Sequence, residues 1–247
     1  MADGDYERGR ARELGAIAAE LRRLAAARHE LPVFVLNGWA ASPHAWDLCR
    51  FQRTRLFSYV EQLDGEPEKA MEDVERCILV GWSMGGSSAL RLAARWPGKV
   101  AGLVLVAATP RMMEERESGW RGMTPRRLEA LRYGLMMTRG EGFFGTPKDK
   151  PNPYMTDEPA NLERGLKYLL ETDVRDAVRD SNLERPVHVF QSEHDGIVRP
   201  ENATWLKSAF PQASVTMVPG TEHALPIFIP EMIDHAVDAC IAVAQKG

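Results

Sequence analysis

Gly81-Trp82-Ser83-Met84-Gly85, directly after the apolar run Cys77-Ile78-Leu79-Val80, is the stretch whose reading decides the fold. Four consecutive apolar residues ending in glycine suit a buried strand. Ala89, Leu90, Ala93 and Ala94 recur at the spacing of one helical face just beyond it. The arrangement is therefore strand, sharp turn, helix, with a serine at the apex. A serine hydroxyl in water is a poor nucleophile, and it becomes useful when a tight turn holds it where a base can take its proton. Gly81 and Gly85 let the backbone make that turn, and Gly86, Ser87 and Ser88 let the helix approach the sheet closely. A bare G-x-S-x-G also arises as an ordinary small-residue turn. The elements on either side are what separate the two readings.

Working outward, Val33-Phe34-Val35-Leu36, Leu56 to Val60, Leu103 to Ala107, Val187-His188-Val189-Phe190 and Val215-Thr216-Met217-Val218 are further short apolar runs. Helical patterns separate most of them, which is the signature of an α/β fold with a mostly parallel sheet of about six strands flanked by helices. Leu14, Ile17, Ala18, Leu21, Leu24 and Ala25 predict an amphipathic N-terminal helix over about residues 6–27. Pro230 opens a last helix with Ile233, Val237, Cys240, Ile241 and Ala244 on its core face. Between Pro110 and Asn182 the rhythm of strands stops. Leu128, Leu131 and Leu135 mark one helical stripe there, and Leu162, Leu166, Leu169 and Leu170 another, with a Pro/Gly-rich hinge from Gly140 to Pro159. The expected organisation is a core of residues 1–109 and 183–247, with 110–182 inserted as a helical lid.

A serine nucleophile needs a base. Of the six histidines, His223 alone stands in a short loop, Pro219-Gly220-Thr221-Glu222-His223, straight after a predicted strand. His29, His44, His188, His194 and His235 read as surface, loop, strand or helix residues. The imidazole in turn needs a carboxylate to fix its tautomer and stabilise its charge. Asp195, past the strand Val187 to Phe190, is the candidate; Glu193 competes, and Asp195-Gly196 also suits a plain turn. Backbone N–H groups for a developing oxyanion are expected from Met84, after the serine, and from Trp39 in the loop Asn37-Gly38-Trp39. The Trp39 indole also suits a core-capping role. Serine, aspartate and histidine in that chain order are the order of the α/β hydrolases.

The rest of the chain narrows the choice of function class. With 247 residues, 44% hydrophobic and 27% charged, it suits one globular domain with an insertion. A formal charge of −4 without a Lys/Arg block argues against nucleic acid. Cys49, Cys77 and Cys240 are too far apart in sequence for a zinc site or a disulfide framework, which suits a cytoplasmic protein. No apolar run is long enough to cross a bilayer, and no signal peptide is expected.

These residues resemble the α/β-hydrolase fold, and within it the short-lid esterases of biotin synthesis that act on pimeloyl-acyl carrier protein methyl ester. Leu36-Asn37-Gly38-Trp39 is similar to that family's oxyanion loop, with Asn37 where histidine is usual. Gly81-Trp82-Ser83-Met84-Gly85-Gly86 is similar to its elbow, and His194-Asp195-Gly196-Ile197-Val198 and Glu222-His223-Ala224 to its acid and histidine loops. The resemblance implies a serine carboxylesterase with catalytic Ser83, Asp195 and His223, an oxyanion hole of Trp39 and Met84, and no metal or organic cofactor. Trp39, Trp82, Arg126, Arg127 and Arg132 are the implied substrate contacts. Arg121, Arg126, Arg127, Arg132 and Arg139 make that stretch locally basic, which suits either a solvated face or a surface that guides an acidic carrier protein. The implied partner is a small ester or one linked to acyl carrier protein, met by a monomer. Thioesterase, lactonase and carbon-carbon hydrolase chemistry use the same parts, and a silent ligand-binding module shares the fold.

Overall fold

The computed structural model describes residues 31–138, 141, 146, 150, 152–155 and 158–246, and Pro32–Gly247 forms one compact unit. The expected helix over 6–27 and most of the Gly140 to Pro159 hinge lie outside the described residues.

The apolar runs become a six-stranded sheet: β1 (Val33–Leu36), β2 (Thr54–Phe57), β3 (Cys77–Trp82), β4 (Val100–Val106), β5 (Val187–Ser192) and β6 (Ser214–Val218). Its order is β2-β1-β3-β4-β5-β6, and every neighbouring pair is parallel. β1, β3 and β4 are buried along their whole length, as near-continuous apolar runs in a covered parallel sheet require. β3 is central, so the turn that follows it opens at the carboxyl ends of the strands, where α/β sheets place their ligands.

One expected strand is corrected. The run Leu56 to Val60 does not continue as a strand past Phe57; helix α1 (Tyr59–Leu63) begins instead. Ser58 accepts a hydrogen bond from the Glu61 N–H while Glu61 bonds back to the Ser58 N–H, a capping box that starts the helix inside the apolar run. Helices α2 (Glu66–Asp73) and α3 (Met84–Arg95) follow.

Between β4 and β5 run α4 (Pro125–Thr138), α5 (Pro159–Glu171) and α6 (Arg175–Asp180). Leu128 and Leu135 of α4 and Leu162, Leu166 and Leu169 of α5 join Trp39, Tyr59, Met84, Met112, Met113 and Met123 in a second apolar cluster, separate from the core beneath β1, β3 and β4. Leu170, expected on that stripe, is 40% exposed. It stands about 100° around the helix from Leu169, beyond the buried arc. The start and end of this insert meet through an antiparallel bridge between Arg111 and Asp173. Helices α7 (Glu201–Ala209), α8 (Leu225–Phe228) and α9 (Pro230–Ala244) complete the unit, with Ile233, Ala236, Val237 and Cys240 of α9 buried.

Candidate active site

Ser83 sits between β3 and α3 with φ 56° and ψ −119°, a backbone state that a side-chain-bearing residue adopts only under constraint. The neighbouring glycines explain how it is held. A Cβ on Gly85 would strike the backbone of Leu36 and Asn37, one on Gly81 the backbone of Gly85 and Gly86, and one on Gly86 the side chain of Ala108. The turn is therefore wedged between the end of β1 and the loop after β4. Ser83 is 7% exposed, reachable but largely covered.

The structure brings the three predicted side chains together. His223 Nε2 lies 2.9 Å from Ser83 Oγ, and His223 Nδ1 lies 2.8 Å from Asp195 Oδ2. A carboxylate beside Nδ1 keeps the proton on that nitrogen, which leaves Nε2 to accept from the serine hydroxyl. Asp195 is 3% exposed, and its other oxygen accepts the N–H groups of Ile197 (2.7 Å) and Val198 (3.1 Å). Glu193, the competing acid, is exposed, and among the described residues the imidazole of His223 bonds Asp195 and Ser83 instead.

Several groups that position these side chains escape sequence reasoning. Gln191, buried in β5, donates from Nε2 to Asp195 Oδ2 at 3.2 Å and to the Val198 carbonyl at 3.1 Å. The Ser192 hydroxyl donates to the Glu222 carbonyl, and Trp82 Nε1 donates to the His223 carbonyl at 2.9 Å. A glutamine or serine at a strand end has no pattern that marks it. Only the tryptophan inside the elbow was a visible signal.

On the opposite side, the backbone N–H groups of Trp39 and Met84 have no acceptor among the described residues. Met84 is the first residue of α3, where helix geometry leaves the amide free and the helix dipole favours negative charge. The Trp39 indole donates to the Leu162 carbonyl of α5 at 3.2 Å and lies against Gly165, where any Cβ would collide with it.

A cavity of about 30 Å³ opens on Ser83 and His223, lined by Trp39 and Trp82 and walled by Met112, Leu128, Leu131, Leu135, Met155 and Leu169. That is room for little more than a water molecule. Arg126, Arg127 and Arg132, implied as substrate contacts, do not reach it. Arg127 donates to the Gly196 carbonyl at 3.0 Å and Arg132 to Glu129 at 2.7 Å, while Arg126 is exposed. Arg121 pairs with Glu201 at 3.3 Å, and Arg139 lies outside the described residues. Among the described residues no group of acidic, histidine or cysteine side chains could hold a metal ion, and no helix is long and apolar enough to cross a membrane.

A parallel sheet with a strained serine turn at its centre, an imidazole and carboxylate in line behind it, and free amides in front defines a hydrolytic enzyme of the α/β class. The chain belongs to the alpha/beta hydrolase family, which it matches over residues 10–242. It is 29% identical to the pimeloyl-[acyl-carrier protein] methyl ester esterase of Nitrosospira multiformis, over 76% of this chain and 86% of that protein. It is 27% identical to the esterase of the same name from Nitrosomonas europaea, over 83% and 93%. Among solved structures it is similar to an esterase from Exiguobacterium antarcticum, with a TM-score of 0.69 and 17% identity over 86% of this chain and 92% of that one. A bromoperoxidase from Bacillus anthracis has the same fold, with a TM-score of 0.67 and 16% identity over 86% and 92%.

Proposed function

We propose that this protein is a carboxylic ester hydrolase in which Ser83, His223 and Asp195 act as nucleophile, general base and orienting acid. The observation that carries the reading is the unbroken hydrogen-bonded line from Ser83 Oγ through the imidazole to Asp195. His223 removes the hydroxyl proton as Ser83 attacks the ester carbonyl. The tetrahedral oxyanion is met by the N–H groups of Trp39 and Met84. The proton then passes from Nε2 to the leaving alcohol, and an acyl-enzyme remains. Water, deprotonated by the same nitrogen, attacks the acyl-enzyme; the acid is released and the hydroxyl is restored. No metal or organic cofactor enters any step.

The β4–β5 insert, residues 110–182, acts as a lid over this site, and its apolar wall suits an uncharged acyl chain. The relatives' names support a finer reading, in which the substrate is the methyl ester of an acyl chain carried on acyl carrier protein, as in biotin synthesis. Trp39 and Trp82 then contact the acyl group beside the reacting carbonyl. Arg126, Arg127 and Arg132 then serve binding of the carrier-linked substrate. The enzyme works as a monomer in the cytoplasm. Hydrolysis of short p-nitrophenyl esters, compared between wild type and Ser83→Ala, tests the general reading: activity should fall by about 10⁴-fold or more, and undiminished turnover in the variant would sink it. Restoration of growth in a biotin-requiring strain that lacks its own esterase tests the finer one.

A further inference from the structure

The loop from Asn37 to Ser42 carries the N–H assigned above to the oxyanion, yet it has no regular secondary structure to aim that group. Adjacent amides in such a loop point in different directions, so something must decide which one faces Ser83. We propose that Asn37 does so, as a positioning residue whose carboxamide folds the loop around itself and leaves the Trp39 N–H as the donor. The inference rests on reading Ser83 as the nucleophile.

Asn37 is wholly buried, and its polar groups are used on every side. Its Oδ1 accepts the N–H of Gly38 and the indole N–H of Trp46, each at 3.0 Å. Its Nδ2 donates to the Ala41 carbonyl at 2.8 Å, closing the loop across four residues. Its backbone N–H donates to the Phe57 carbonyl at 3.0 Å, and its backbone carbonyl accepts from Gln62 Nε2 at 2.9 Å, which anchors the main chain at this residue to β2 and α1. Gly38 stands beside the nucleophile, since a Cβ there would lie 3.4 Å from Ser83 Cβ. Its amide would be the natural competitor for the oxyanion, and Asn37 Oδ1 withdraws it. The Ala41 N–H is taken by the Gly38 carbonyl and the Ser42 N–H by the Tyr154 carbonyl. Trp39 and Ala40 keep free amides among the described residues, and of the two only Trp39 lines the cavity. Ala40 has φ 60°, the bend that lets the loop turn back to the carboxamide.

The side chain must both accept and donate here. An aspartate has the same shape and keeps the two acceptor bonds. It cannot donate to the Ala41 carbonyl, and it sets a carboxylate against that oxygen and near the charge that develops in the reaction. Asn37→Asp therefore changes the electrostatics of the loop with little change of volume. Trp46→Phe removes one donor to Oδ1 and leaves the rest.

The test measures kcat and KM on a short p-nitrophenyl ester, inhibition by a trifluoromethyl ketone that forms a tetrahedral adduct with an oxyanion, and the thermal midpoint. Asn37→Asp should lower kcat by roughly 10- to 100-fold and change KM by no more than about twofold. The ketone should weaken by the same factor as kcat/KM. Trp46→Phe should move both in the same direction by a few fold. The proposal is overturned if Asn37→Asp turns over like wild type, or if the ketone binds it normally while KM and the thermal midpoint shift together, as loss of general packing would cause. A wild-type protein that hydrolyses no ester and is not labelled at Ser83 by a fluorophosphonate would instead remove the functional reading beneath it.

Discussion

At the scale of single residues, the site divides into groups that announce themselves and groups that do not. Ser83 was legible because its turn demands glycines at fixed offsets, and His223 and Asp195 because each follows a strand in the order the chemistry uses. Asn37 is legible only as part of the loop after β1, not as the residue that folds it, and Gln191 and Ser192 are polar residues at the end of an apolar strand that neither periodicity nor turn chemistry singles out. What they do depends on partners farther along the chain, such as Gln62 for Asn37 and Glu222 for Ser192. The partners of the insert's arginines are equally hidden in the sequence: Glu201 for Arg121 and the Gly196 carbonyl for Arg127 both come from beyond β5. Asp195→Asn should retain the fold, because the amide oxygen still accepts from Ile197 and Val198. It should also reverse the tautomer preference of His223, and kcat should fall by about 10⁴-fold with a near-normal thermal midpoint. Steady-state kinetics beside a melting curve check both halves.

At the scale of elements, strand positions followed from apolar runs because buried parallel strands leave little else for such runs to be. The end of β2 did not, because the helix signal Ser58-x-x-Glu61 lies within the same apolar run and overrides it locally. The β4–β5 insert is fastened at its neck by ions. Arg111 lies 2.5 Å from Asp173, and Arg175 bonds both Asp173 (2.7 Å) and Glu115 (2.8 Å). Partial burial pushes the Asp173 carboxyl up, but hydrogen bonds from Arg175 and Arg111 outweigh it and hold the group at about 2, below its ordinary 3.8. Because the folded-state value is the lower one, the contribution of Asp173 to stability is present above about pH 4 and is lost as pH falls through about 2. Asp173→Asn should melt below wild type at pH 6, and the gap should close between pH 4 and 2. Thermal melts across that range would reveal a constant gap if the neck were not ionic.

At the scale of the whole molecule, the covered sheet shields Cys77 of β3 and Cys240 of α9, both buried, while Cys49 stands half-buried in a loop. Burial pushes Cys49, Cys77 and Cys240 each up to about 12. Cys77 and Cys240 should not react with a disulfide reagent at pH 8 while the protein is folded and should titrate in denaturant, so the time course of their labelling reports unfolding of the sheet. The cavity above Ser83 bears on a different quantity. At about 30 Å³ it is too small for an acyl chain, so we expect substrate to enter a more open arrangement of the insert. The apparent dissociation constant is then the intrinsic one divided by the open fraction, and an invisible equilibrium is folded into KM. Truncating a wall residue should raise that fraction even as it weakens the closed state. Leu135→Ala is expected to cost about 2–4 kcal/mol of stability while lowering KM several-fold for hexanoyl esters and barely for acetyl esters. Measured over a series of chain lengths, KM would become a ruler for how far Met112, Leu128 and Leu169 must part, and acyl preference would be set by the free energy of opening as much as by contacts made after entry.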